Sequence, residues 1–282
     1  MSGATRGAVR RGEPASRAWI ALRVVVVAVY AFMLGPILIT AAVSFNASNR
    51  SLFPPRGFSL QWWGRALSWE WIDPLLFSLK LGLAAGACST LLALPLAFAL
   101  VRHDFRGRTA LLALTLGPLL LPALVTGAGL LQLFQYVGLR DSIGLPALLC
   151  GHVVICLPFA VRTTAISLQS LPPNLEHAAA SLGAPPWRVQ AHVILPLIKN
   201  GIVAGAVFAF IHSFTDVNLS LFLARPGETP INVKILGFLE FGFAPTLAAV
   251  SVLTITIPLV LVIALQRATG LGDFLYAERR RD

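Results

Sequence analysis

The sequence predicts an all-α integral membrane protein with six transmembrane helices, and three observations carry that prediction. Of the 282 residues, 56% are hydrophobic and only 12% are charged, against about 25% charged in an ordinary soluble domain. The apolar residues gather into six long runs, at 18–45, 75–101, 110–134, 144–168, 198–223 and 244–266. Each reaches the roughly 20 residues that a helix needs to cross a ~30 Å hydrocarbon core. Within the runs the apolar stretches are continuous, as at 24–29 and 111–116, with none of the alternation of a barrel strand. Lipid offers no partner to a free backbone N–H or C=O, so such runs fold as helices.

The first run follows a basic leader over residues 1–17 with Arg6, Arg10, Arg11 and Arg17. Its length exceeds the ~7–15 residues of a signal-peptide core, so it reads as a retained anchor behind a disordered cytoplasmic leader. A transmembrane domain over 18–268 and a cytoplasmic tail over 269–282 complete the organisation. With the N-terminus inside, fourteen Lys and Arg fall in cytoplasmic pieces and six in outer pieces. That bias favours both termini inside. The formal charge of +10 therefore sits beside the ends of apolar runs rather than in a stripe with interleaved aromatics, which argues against a nucleic-acid partner.

Trp62, Trp63, Trp69 and Trp71 cluster between the first two runs, where an outer membrane interface is expected. Each run holds a proline or has one at its entrance: Pro36, Pro95, Pro118 with Pro122, Pro158, Pro196 just before the fifth, and Pro258. Proline kinks a helix by removing one backbone bond. Cys88, Cys150 and Cys156 lie within apolar runs without metal-ligand spacing and read as small apolar filler. The five histidines, His103, His152, His177, His192 and His212, are scattered, so no metal centre is expected. No Gly-rich phosphate loop ending in Lys-Ser/Thr is present, so no ATP site of that type and no catalytic constellation is expected, and the chain needs no cofactor.

The loop at 169–197 is the distinctive segment. Leu171-Pro172-Pro173-Asn174 breaks the fourth run and offers Asn174 as a helix cap. Glu176-His177-Ala178-Ala179-Ala180 favours a short helix, and Gly183 is a natural stop. Pro185-Pro186-Trp187 starts a second helix that runs through Leu195-Pro196 into the fifth run.

In this loop the chain resembles the permease subunits of binding-protein-dependent ABC importers. Their signature reads EAA, three residues, Gly, nine residues, Ile, any residue, Leu-Pro. Anchored on Gly183, this chain has His177-Ala178-Ala179, then Gly183, then Val193-Ile194-Leu195-Pro196. The spacing matches throughout, and Val193 stands for Ile. His177 occupies the signature Glu position, and Glu176 precedes it by one residue.

The resemblance covers the chain from about Leu75 to Ala268 and implies the type I importer permease architecture. It also implies a coupling helix that docks on a cytoplasmic ATP-binding subunit, with Glu176, His177, Ala178, Ala179, Gly183, Leu195 and Pro196 as the coupling residues. The implied partners are an ATPase dimer, a second permease subunit forming a heterodimer, an extracytoplasmic substrate-binding protein and membrane lipid. ATP hydrolysis belongs to the partner, and the implied location is the bacterial inner membrane.

A looser likeness to the spermidine/putrescine branch rests on 213–223, on Thr229-Pro230-Ile231-Asn232-Val233-Lys234 and on Pro245-Thr246-Leu247-Ala248-Ala249-Val250-Ser251. Iron(III), thiamine and organophosphonate branches share much of that pattern. A secondary transporter with its own coupling-ion site and a membrane-embedded enzyme are the readings of another class. Asp216 is the pathway candidate, with His212 and Thr215. An ionisable group inside a span is costly and faces a cavity or partner. His212, four residues earlier, is expected on the same helical face.

Overall fold

The computed structural model describes residues 17–49, 53–240, 242 and 244–269. Except for Arg17 and Thr269, the leader and tail expected at the two ends lie outside the described residues. The chain divides into two compact units, Met1–Trp63 with Ala244–Val252 and Gly64–Phe243 with Leu253–Asp282.

The described residues of the first unit include α1 (Arg17–Ser44) and the segment that follows it. From Trp19 to Ile39 the large apolar side chains of α1 are exposed in the single chain, as a helix facing lipid or a partner requires. Beyond α1 the Asn46 side chain replaces helix bonding, its Oδ1 accepting from the backbone N–H groups of Ser48 and Arg56. Trp62 Nε1 donates to the Asn46 carbonyl at 2.6 Å. The tryptophans expected together at the membrane interface therefore divide. Trp62, in α2 (Gln61–Ala66), is 4% exposed, whereas Trp69 is 71% exposed.

The second unit is built on three long helices that pack against one another: α3 (Trp69–Arg102), α6 (Leu145–Gln169) and α9 (Leu195–Thr215). Between lipid-solvated helices, close approach and dispersion do what water exclusion does in soluble proteins, so small residues mark the contacts. Ala85, Ala93, Ala97, Ala160 and Ala209 are fully buried. A Cβ on Gly86 would stand 3.2 Å from the Ala206 carbonyl oxygen. One on Gly205 would run into the Thr163 hydroxyl and stand 3.1 Å from Ala160 Cα. The shorter helices are α4 (Arg108–Leu116), α5 (Ala123–Tyr136), α7 (Asn174–Ser181), α8 (Pro186–Val189), α10 (Ser220–Leu223) and α11 (Ile231–Leu239), and the long α12 (Pro245–Thr269) ends the order.

Among the described residues five helices are long and apolar enough to cross a membrane, and a bent pair brings the count to six if it is one span. That pair occupies the third expected run, 110–134, and the kink expected at its prolines is a full break. Arg108–Leu119 and Ala123–Tyr136 meet at 107°. Pro118 and Pro122 remove two backbone donors around the turn, and a 3₁₀ stretch at Gly117–Leu119 leads into it. The second helix begins at Trp69 rather than 75. The fifth stops at Thr215 rather than 223, because Asp216 takes an extended conformation and a new helical turn starts after it.

Gly205→Leu forces four side-chain carbons into the α6–α9 contact, an overpacking that costs about 1–3 kcal/mol. Thermal unfolding in detergent should show a lowered midpoint for Gly205→Leu. Gly129→Leu, at a helical site with open space around it, should leave the midpoint unchanged.

Candidate functional site

The loop between α6 and α9 folds as a compact projection. Pro172 and Pro173 end α6 and admit α7, in which Asn174, expected as the cap, is the first helical residue. The helix closes on Gly183. The Gly183 N–H donates to the Ala180 carbonyl at 2.9 Å, and the Ala184 N–H donates to Ala179 at 3.3 Å. This pairing is a Schellman motif and requires the left-handed conformation that Gly183 adopts at φ +84°. No atom lies within 4 Å of a Cβ placed there, so backbone conformation, rather than a collision, selects glycine within the chain. The chain then turns through α8 and a π-helical stretch, Gln190–Ile194, into α9, where Leu195 and Pro196 form the first turn.

Two contacts fasten this projection to the bundle. Leu168, Val189, Ile194 and Ile198 form a buried cluster, against which Phe98 and Val101 of α3, Leu195, and Ala179 and Ala184 of the loop pack. The second contact is ionic. Arg102, the last residue of α3, donates from Nε to Glu176 Oε1 at 2.7 Å and from Nη2 to the Leu171 carbonyl at 3.1 Å. The two side chains are 12% and 24% exposed. Glu176, the carboxylate available to stand in for the signature residue, is thus turned onto the chain's own helix. His177 and Ala178 are exposed on α7.

At the far end of α9, roughly 30 Å from the loop at 1.5 Å per residue, the chain breaks at Asp216. Its carboxylate caps the following turn, accepting from the backbone N–H groups of Leu219 at 3.4 Å and Ser220 at 3.0 Å. It also accepts from the Ser220 hydroxyl at 3.0 Å. With that proton committed, Ser220 Oγ accepts from Nε2–H of His152, 2.9 Å away on α6. His152 Nδ1 is left to accept from the Ser213 hydroxyl at 2.6 Å. One neutral tautomer thus satisfies the network by hydrogen-bond logic. His152, Ser213 and Ser220 are buried, and His152 Nε2 stands 3.9 Å from Asp216 Oδ2. Gly127 of α5 leaves room for this turn, since a Cβ there would lie 2.9 Å from the Leu219 carbonyl oxygen.

Of the candidates grouped by sequence, Asp216 lies in this network, while its presumed neighbour His212 tilts against the Phe159 ring at 4.8 Å. Thr215 bonds back to the Ile211 carbonyl. The helix that would carry both on one face ends at Thr215, and Asp216 follows it in an extended conformation. Sequence reading missed His152, whose partners lie 61 and 68 residues away, and Arg102, which counted only as an inside charge. Ser213, Asp216 and Ser220, spaced by three and four, were the available signal. Among the described residues no group of three or more His, Cys, Asp or Glu could hold a metal ion. Cys88, Cys150 and Cys156 are free, with Cys156 Sγ directed at the Ala209 carbonyl.

A helical membrane protein with kinked spans and a folded loop fastened to its core has the form of a transport subunit, and comparison with known proteins bears this out. The chain belongs to the binding-protein-dependent transport system inner membrane component family, whose model matches residues 89–269. It is therefore a multi-pass inner-membrane permease component of such a system. It is 31% identical over 247 residues to the spermidine/putrescine transport system permease protein PotC of Escherichia coli K12, covering 85% of this chain and 90% of PotC. It is 30% identical over 235 residues to the putrescine transport system permease protein PotI of the same organism, covering 79% and 82%. Among solved structures, a bacterial ABC transporter involved in the import of the acidic polysaccharide alginate superimposes with a TM-score of 0.72. That match covers 90% of this chain and 96% of the other at 15% identity, and it establishes a shared fold.

Removing Arg102 leaves the half-buried Glu176 carboxylate without its ionic partner, a loss on the order of 1 kcal/mol after solvent screening. Arg102→Met should make the loop at 169–197 a faster target for added protease in inside-out vesicles. The exchanged pair Arg102→Glu with Glu176→Arg should recover most of the resistance.

Proposed function

We propose that this chain is one of two permease subunits of an ATP-driven polyamine importer, with both termini in the cytoplasm. In this reading an extracytoplasmic binding protein delivers the cargo and a cytoplasmic ATPase dimer docks on the loop at 169–197. The carrying observation is the combination of 31% identity to a spermidine/putrescine permease over most of both chains with a complete signature spacing in the loop. The coupling residues are Glu176, His177, Ala178, Ala179, Gly183, Leu195 and Pro196. Gly183 sets the turn, and Glu176 passes movement of the docked helix to α3 through Arg102. The cluster around Ile194 and Ile198 passes it to α9.

The pathway reading centres on Asp216, with His212 and Thr215 in the turn before it. Its carboxylate places negative charge where α9 ends, which favours a cationic cargo over an anionic one. In the conformation described, Ser220 and the following backbone hold that carboxylate. A pathway role therefore involves opening of the 216–220 turn.

Uptake into cells or proteoliposomes containing the complete transporter tests both parts. Labelled spermidine or putrescine should accumulate, and iron(III), thiamine or an organophosphonate should not compete. Asp216→Asn should lower uptake at subsaturating polyamine while membrane level and ATPase assembly stay normal. Competition by one of the other solutes would reassign the cargo. Loss of the assembled complex in Asp216→Asn would make the residue structural.

A further inference from the structure

The residues at 169–199 include one acidic side chain, Glu176, and the permanent cations Arg188 and Lys199. The acid is spent within the chain, since Arg102 holds it at 2.7 Å. In the neighbouring cytoplasmic connection Asp104 is likewise paired, with Arg108 at 2.8 Å. Helical geometry then sorts α7. Leu175, Glu176 and Ala179 share the face turned to the bundle, and Asn174, His177 and Ser181 share the opposite face. Ala179 packs on the Leu168–Ile198 cluster, while Asn174, His177 and Ser181 are exposed. Immediately beyond stand two large apolar side chains, Leu182 at 90% exposure and Trp187 at 63%. The Arg188 guanidinium lies 5.2 Å from the Trp187 ring centroid. An exposed Leu and Trp beside a cation mark a protein contact rather than a solvated loop.

We infer that the loop meets its ATPase through a cationic and apolar face, Leu182, Trp187 and Arg188 with His177 beside them, and that the receiving groove is apolar with carboxylate side chains opposite Arg188. This rests on the docking role proposed above and adds the polarity of the contact. Complementary charge steers such an encounter and fixes its register. A groove lined by Lys or Arg would instead face like charge with no carboxylate on the loop free to meet it.

The test is recovery of the ATPase subunit with the tagged permease from detergent-solubilised transporter, across a range of salt. The double variant His177→Glu with Arg188→Glu should recover roughly tenfold less ATPase at low salt, the effect of losing about 1.4 kcal/mol. Wild-type recovery should fall as salt rises. Leu182→Asp should also release the ATPase, and His177→Gln should stay near wild type. Should the double variant fail to reach the membrane, Arg188→Glu alone, at an exposed side chain, repeats the measurement. Equal or better recovery with the reversed charges, while Leu182→Asp releases the ATPase, overturns the acidic groove and leaves docking intact. Unchanged recovery in every variant overturns docking through this loop, and the inference falls with it.

Discussion

A hydrocarbon environment supplies no hydrogen bonds, so each place where this chain leaves helical geometry must satisfy its own backbone. The break at Asp216 illustrates the constraint. The helix could have continued through an apolar run, yet the carboxylate draws the Leu219 and Ser220 amides and the Ser220 hydroxyl to itself. The Ser220 hydroxyl ties the turn to α6 through His152, whose other ring nitrogen meets Ser213 at the end of α9. Burying a carboxylate there is tolerable because three hydrogen bonds hold it. The turn in the third span is made with Pro118 and Pro122, residues that have no donor to lose.

The same packing that closes the bundle fastens the loop. Alanines and glycines let α3, α6 and α9 approach closely, and the loop is pinned where the ends of those three helices gather. Val189, Ile194 and Ala179 pack with residues of α3, α6 and α9, and Glu176 closes on Arg102. A push on α7 therefore reaches a stiff bundle through two kinds of contact, one apolar and one ionic.

Much of this was legible in the sequence. Apolar runs mark the spans because lipid demands them, and the loop was readable because Pro172, Pro173, Gly183, Pro185 and Pro186 punctuate it by local chemistry. Gly183 illustrates both success and limit. Its need for a left-handed turn follows from its place after an alanine-rich helix, but the reason is conformational, since the space around it is open. What stayed hidden depends on contacts between distant segments. A 107° bend cannot be read from two prolines, because neighbouring helices set the angle. His152 looked like one scattered histidine until the fold placed Ser213 and Ser220 beside it. Glu176 looked free to face a partner because nothing local shows that Arg102, 74 residues earlier, reaches it. Placing His212 and Asp216 on one helical face assumed a helix that in fact ends at Thr215.

The central claim is that the segment Asn174–Ser181, with the turn at Gly183, is where an ATPase subunit takes hold of this permease. Amide hydrogen exchange of the purified permease pair, with and without its ATPase, addresses that claim directly. The account predicts that amides from His177 to Ala184 exchange markedly more slowly when the ATPase is bound, while those of the 216–220 turn do not gain comparable protection. Equal exchange across the loop in both states, with the ATPase demonstrably bound, would contradict it.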